Sequence, residues 1–176
     1  MVVRQDRRRA RVVAVLAGCA ALLAAQAPAA SWCLGLGSLG PMRTGMSVDQ
    51  VLRLADWPGQ ERREPAGDFW YLRYQGDGSD FDLMIIGGRV VRIELRGKSR
   101  LNTLSGAHIG SSEAELNKLY GEQLKVQPHK YEPDGHTITW QSADGEFGLR
   151  FETAGGKVTA IQSGPWEHLH YVEGCS

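Results

Sequence analysis

One pattern runs through this chain twice, and any fold must accommodate both copies. The first copy reads GMSVDQVLRLADWPG from Gly45, then WYLRYQ from Trp70, FDLMII from Phe81 and GGRVVRIEL from Gly87. The second reads GSSEAELNKLYGE from Gly110, then HTITWQS from His136, FGLRFET from Phe147 and GGKVTAIQS from Gly155. Gly45 and Gly110, Tyr74 and Trp140, and Gly88 and Gly156 stand 65, 66 and 68 residues apart. Near-constant offsets of this size mark a repeated supersecondary unit that buries its apolar face against a neighbour.

Each copy opens with a capping box. Ser47 with Gln50, and Ser112 with Glu115, have the three-residue spacing that satisfies free N–H groups at a helix start. Met46, Val51, Leu52, Leu54 and Ala55 continue the first at helical spacing, and Leu116, Leu119 and Tyr120 continue the second. Pro58 and Gly121 end them. Three strand-like runs follow in each copy, punctuated at Gly76-Asp77-Gly78, Gly87-Gly88, Asp144-Gly145 and Gly155-Gly156. Alternation turns Trp70, Leu72, Tyr74, Phe81, Leu83, Ile85, Val91, Ile93 and Leu95 toward a helix, with Ile138, Trp140, Leu149, Phe151 and Ile161. The expected fold class is α+β: two tandem helix-plus-three-stranded antiparallel meander repeats, with the helices packed on one face of the sheets. The expected boundaries are a signal peptide over 1–29, a first αβββ repeat with its N-terminal segment over 30–97 and a linker over 98–109. A second αβββ repeat covers 110–164, and a C-terminal tail with Cys175 covers 165–176.

The leader sets the compartment. Arg4, Arg7, Arg8, Arg9 and Arg11 precede an uncharged stretch from Val12 to Ala25, and Ala27 and Ala29 form an A-x-A site, so cleavage is expected after Ala29. The apolar run is shorter than the about 20 residues a spanning helix needs. Leu16-Ala17-Gly18-Cys19 offers the alternative of a lipobox, with Cys19 lipidated as the mature N-terminus. Cleavage removes five arginines and Asp6 from a balanced 20 basic and 20 acidic residues, which leaves a mature chain with an excess of about four acids. General attraction to nucleic acid is not indicated. Cys33 and Cys175 stand at the two ends of the mature chain, and in an oxidising compartment they are expected to form one disulfide.

Gly-Met-Ser from Gly45, then Val51 and Leu54-Ala55-Asp56-Trp57-Pro58, resemble the G-M-[ST]-x-x-x-V-x-x-L-L-G-x-P opening of the SmpA/OmlA outer-membrane-assembly lipoproteins. The wider architecture is similar to the fold of β-lactamase inhibitory protein, which carries a helix-and-meander unit twice. Asp56 stands where the lipoprotein family prefers Gly, and Gln123 replaces its Pro in the second copy. The resemblance implies a non-enzymatic envelope protein that binds another protein.

Chemistry-bearing residues are sparse. His168 and His170 would share a side on an extended segment, but a two-residue spacing supplies too few ligands, so no metal and no cofactor is expected. Asp77, Asp80 and Asp82 lack the spacing of a calcium loop. Asp134-Gly135-His136 supplies half of an acid/base pair without a nucleophile elbow or phosphate loop. Trp57 and Trp166 lie beside prolines, outside regular elements, and are the tryptophans freest to meet a ligand. The leading expectation is an exported, non-catalytic protein-binding module using the open sheet face, with Tyr71, Arg73, Met84, Arg92 and Arg150 as contacts. Its partner is another envelope or secreted protein. The alternatives are an envelope lipoprotein acting in outer-membrane assembly, and a small-ligand or metal-binding protein or minor hydrolase using a cleft between the repeats.

Overall fold

Glycine pairs at two hairpin tips set the geometry of the main sheet. Gly87 and Gly88 have φ of 55° and 75°, and Gly155 and Gly156 have φ of 55° and 71°. Two successive positive φ values match the twist of a tight antiparallel hairpin. The computed structural model describes residues 32–54, 62–66, 69–76 and 78–170, with the backbone alone described over 62–66. The leader with Cys19 and Ala29, the Ala55–Pro58 segment, Asp77, and the tail with Cys175 lie outside the described residues.

The chain runs β1 (Cys33–Gly35), β2 (Ser38–Leu39), β3 (Met42–Arg43), α1 (Val48–Leu52), β4 (Arg62–Ala66), β5 (Phe69–Tyr74), β6 (Phe81–Ile86) and β7 (Arg89–Arg96). It continues as β8 (Asn102–Thr103), α2 (Glu113–Tyr120), a 3-10 turn (Gly121–Gln123), β9 (Lys125–Pro128), β10 (His136–Gln141), β11 (Phe147–Ala154), β12 (Lys157–Pro165) and a 3-10 segment (Trp166–His170). Eight strands form one sheet in the order β4-β5-β6-β7-β12-β11-β10-β9, and a small sheet has the order β3-β2-β1-β8. The seam of the large sheet joins β7 to β12 through Leu95↔Ile161 and Glu94↔Gln162.

This architecture overturns the expected α+β class of two helix-plus-three-strand meanders. Among the described residues the protein is mostly β, the two α-helices hold five and eight residues, and each half gives four strands to one continuous sheet. The extra strands, β4 and β9, come from the segments between each helix and its first expected strand, which carry Pro65 and Pro128. Both are edge strands, where a proline interrupts no ladder on its solvent side. The 98–109 segment likewise carries β8, which pairs parallel with β1 through Leu34↔Thr103.

Short helices need tertiary support, because an isolated helix of this length does not form in water. Both capping boxes form as the sequence spacing requires. Gly45 N–H donates to the Val90 carbonyl at 2.7 Å, and Val90 N–H donates back to Met46. Gly110, Val158 and Ser111 make the corresponding pair of bonds in the second half. The helix starts are thereby tied to the glycine hairpins. Inward alternation holds except at Val91: the register shifts between Met84 and Ile85, so Val90 is buried and Val91 only half-buried.

One core runs beneath both halves. Leu72, Leu83, Ile93 and Leu95 meet Ile138, Phe151 and Ile161 under Val51 and Leu116 of the helices, and Leu34, Leu39 and Met42 of the small sheet close one end. Ser163 of β12 bolts that sheet down: its hydroxyl donates to the Gly35 carbonyl at 2.6 Å and accepts from Gly37 N–H at 2.9 Å. Gly37 has φ 62°, and a Cβ there would stand 2.8 Å from the Phe147 ring.

Candidate functional site

The polar face of the large sheet carries the residues that sequence reading nominated. Register places Arg73, Asp82, Glu94, Gln162, Arg150 and Thr139 in one row across six strands. The row is not open. The 3-10 segment folds back over the centre of the face, where Arg92 Nη1 donates to the His168 carbonyl at 2.9 Å and Arg150 Nη1 to the Leu169 carbonyl at 3.0 Å. Leu169 is fully buried, and a Cβ at Gly148 would lie 2.7 Å from the Trp166 ring. Arg92 and Arg150 are consequently only 2% and 5% exposed, Met84 is fully buried, and Tyr71 and Arg73 are half-buried. A partner reaches Arg92 and Arg150 only by displacing residues that sequence reading treated as a tail.

Within the first half these groups are paired as ions. Glu94 accepts from Arg92 Nε at 2.8 Å and Nη2 at 2.6 Å, and it also bonds Arg96. Asp82 lies 3.3 Å from Arg96 Nε and 3.5 Å from Arg73 Nε. Burial alone would raise the Glu94 pKa, but the Arg92 and Arg96 guanidiniums beside it hold it below the ordinary carboxylate value. Arg92 Nη2 donates to the Tyr71 hydroxyl at 3.2 Å, and burial, with Glu94 nearby, pushes that hydroxyl up to about 12.

The histidines take structural positions. His168 and His170 sit on a 3-10 segment and not on an extended one, so a two-residue step separates their directions. His168 lies 3.5 Å from Glu167, and His170 packs edge-on against Trp166. No group of three or more His, Cys, Asp and Glu side chains gathers among the described residues. His136 meets Glu113 at 2.8 Å, with Thr153 also donating to that carboxylate, so it fastens β10 to the start of α2 and does not pair with Asp134. Cys33 is exposed, and its expected partner Cys175 is outside the described residues.

An apolar groove of about 410 Å³ opens on the other face, between the small sheet and the second half. Its floor is Tyr120, Trp140 and Leu149, and its rim is Leu36, Leu104 and Leu119. The rim leucines come from the β1–β2 turn, the residue after β8 and the last turn of α2, and they are 40%, 76% and 41% exposed. The polar atoms of the floor are already paired: Tyr120 OH lies 2.8 Å from Thr103 Oγ1, and Trp140 Nε1 donates to Gln123 Oε1 at 3.0 Å. The groove therefore shows mainly aromatic faces and methyl groups, with Ser105 and Gln123 as polar members and no carboxylate, imidazole or amine among the lining residues described. Its chemistry is apolar binding. Sequence reading missed it because Leu104 stood alone in a polar linker and Leu119 counted as the buried side of α2.

No family model matches the sequence, that of the outer-membrane-assembly lipoproteins included, and no curated protein matches it. Among solved structures, the chain is similar to an extracellular protein containing an SCP domain from Bacillus anthracis, at 11% identity and a TM-score of 0.47, covering 70% of this chain and 44% of that one. It is also similar to a cysteine-rich secretory protein from Staphylococcus aureus, at 12% identity and 0.45, covering 72% and 47%. A candidate beta-lactamase inhibitor protein from Streptococcus mutans matches at 15% identity and 0.25, covering 67% and 82%. The chain thus spans less than half the length of the first two. Likeness at this level assigns neither family nor activity to the chain.

Proposed function

We propose that the protein is an exported, non-catalytic binding module for another envelope or secreted protein, and that the groove takes an apolar segment of that partner. The observation that carries this reading is the convergence of Leu36, Leu104 and Leu119, from three distant stretches of chain, on one aromatic floor. Full burial of a leucine side chain is worth about 1.5–3 kcal/mol, and a rim of exposed leucines gains part of that only when something covers it. Val126 of β9 is 56% exposed and adds an apolar position at the sheet edge. A groove rimmed by exposed leucines suits an apolar chain segment of the partner. Export rests on the arginine-rich leader and its A-x-A site. Among the described residues no helix is long and apolar enough to cross a membrane.

The test is affinity capture from native cell envelope with the wild-type chain beside a Leu104→Asp/Leu119→Asp variant whose folding is checked by circular dichroism. A protein held by the wild type and lost by the folded variant supports the groove. Equal retention by both baits would sink it.

A further inference from the structure

We propose that the outer face of β9, β10 and β11 carries a second binding site, which takes the carboxylates of a short acidic peptide. A trough of about 360 Å³ runs over this face, with Lys125 of β9 and Arg150 of β11 on its sides, Thr139 of β10 between them, and Trp166, His170 and Lys130 closing it. Every charged or titratable residue lining it among the described residues is basic. Lys130 and Arg150 also line an adjoining hollow of about 190 Å³ with Arg92 and Arg96, where Glu152 is the acidic member.

Arg150 makes this a built site and not a scatter of surface lysines. Its side chain is 5% exposed, is held by the Leu169 carbonyl and lies 3.3 Å from Glu152, and its buried Nε–H makes no hydrogen bond, as is also true of Arg96 Nε in the first half. A buried guanidinium has five N–H donors to satisfy, and an unmade bond there is costly. Burial, reinforced by Arg92 and opposed by Glu152 and Glu94, lowers the Arg150 pKa, so added negative charge nearby would stabilise its charged form. A carboxylate entering the trough would supply that charge.

The dimensions select a peptide. Lys125 and Arg150 are two strands apart, about 10 Å at the usual interstrand spacing. Alternate side chains on one side of an extended peptide repeat at about 7 Å, within the reach of a flexible lysine. The Thr139 hydroxyl between the two cations offers a polar contact to the intervening backbone. Long polyanions are disfavoured, because the mature chain as a whole carries an acid excess of about four. Thr139 and Trp140 are adjacent on β10 and point to opposite faces, so this site is separate from the apolar groove.

Isothermal titration of the full exported chain with acetylated hexaglutamate amide, and separately with inorganic phosphate, tests the proposal at low ionic strength. The expected result is hexaglutamate binding that weakens at least tenfold in Lys125→Glu/Lys130→Glu. Both positions are exposed, so the variant keeps its fold. Lys118→Glu on α2 and Leu104→Asp in the groove should leave the affinity unchanged, which separates failure here from failure of the groove. Three results would overturn the proposal: no hexaglutamate binding, equal binding by the charge-reversed variant, or phosphate binding as tight as the peptide, which would leave an inorganic-anion site only.

Discussion

The two halves of the large sheet carry arginines on the same polar face and treat them in opposite ways. In the first half Arg92 and Arg96 converge on Glu94, with Asp82 and the Tyr71 hydroxyl completing a cluster whose charges largely cancel. In the second half Arg150 leans on a backbone carbonyl and on the half-buried Glu152, and it looks into a trough lined by further basic groups. The difference teaches that polar character along a strand does not by itself mark a binding surface. What decides is whether the fold supplies the opposite charge. The first half is closed by its own residues, and the second leaves something for a ligand to complete.

The largest expected effect breaks the closed half. Glu94→Gln leaves Arg92, 2% exposed, without its main carboxylate, and removing one partner of a buried ion pair costs about 3–5 kcal/mol. The corresponding Glu152→Gln removes a carboxylate whose side chain is 26% exposed and leaves Arg150 its bond to the Leu169 carbonyl, so it should cost less than Glu94→Gln. Urea denaturation of both variants checks the contrast. Equal losses would mean that the two halves do not differ as described.

A smaller loss is expected at the junction of the two sheets. Ser163→Ala strands the buried Gly37 N–H and one bond to the Gly35 carbonyl, a change of about 1–3 kcal/mol. Amide exchange in β1 and β2 should rise before exchange in β5 to β7, since the hydroxyl bolts the small sheet alone.

The closed cluster should also shape stability at both ends of the pH scale. Glu94 titrates below its ordinary 4.5 in the folded chain, so its contribution is complete above that value and is lost as pH falls through the lowered pKa. Tyr71 is raised from 10.0 to about 12, so its contribution is complete below pH 10 and is lost as pH rises toward 12. Tyr71→Phe should flatten the alkaline limb of a denaturation midpoint plotted against pH and leave the acid limb in place.

Local signals in the sequence carried the parts of the fold that local physics decides. Ser47-Gln50 and Ser112-Glu115 cap helices, the glycine pairs turn hairpins, and Leu72, Leu83, Ile93, Phe151 and Ile161 face the core as alternation requires. The continuous sheet was not legible, because the β7–β12 seam pairs residues from distant segments and no local pattern encodes it. Edge strands β4 and β9 hid behind proline and charge, which edges tolerate. The covered face was misread for a similar reason. Trp166 to His170 look like a polar tail, and only Gly148, lacking a Cβ, makes room for Trp166 above β11. The groove depended on exposure, which is fixed by three separate segments meeting.

The smallest expected effect sharpens the comparison on the core side of the sheet. There the first half is packed under Val51, while the second half opens at Leu104, Leu119 and Trp140. Leu104 is 76% exposed, so Leu104→Asp removes little packing and should shift stability by no more than about 0.5 kcal/mol. The same substitution places a carboxylate at the mouth of an apolar groove, where a bound apolar probe would have to desolvate it. Anilinonaphthalene sulfonate fluorescence should therefore drop several-fold in Leu104→Asp while its denaturation midpoint stays within error of the wild type. A residue whose loss the fold ignores and a ligand notices is held for binding, whereas Val51→Ala should move the denaturation midpoint and leave the dye signal unchanged.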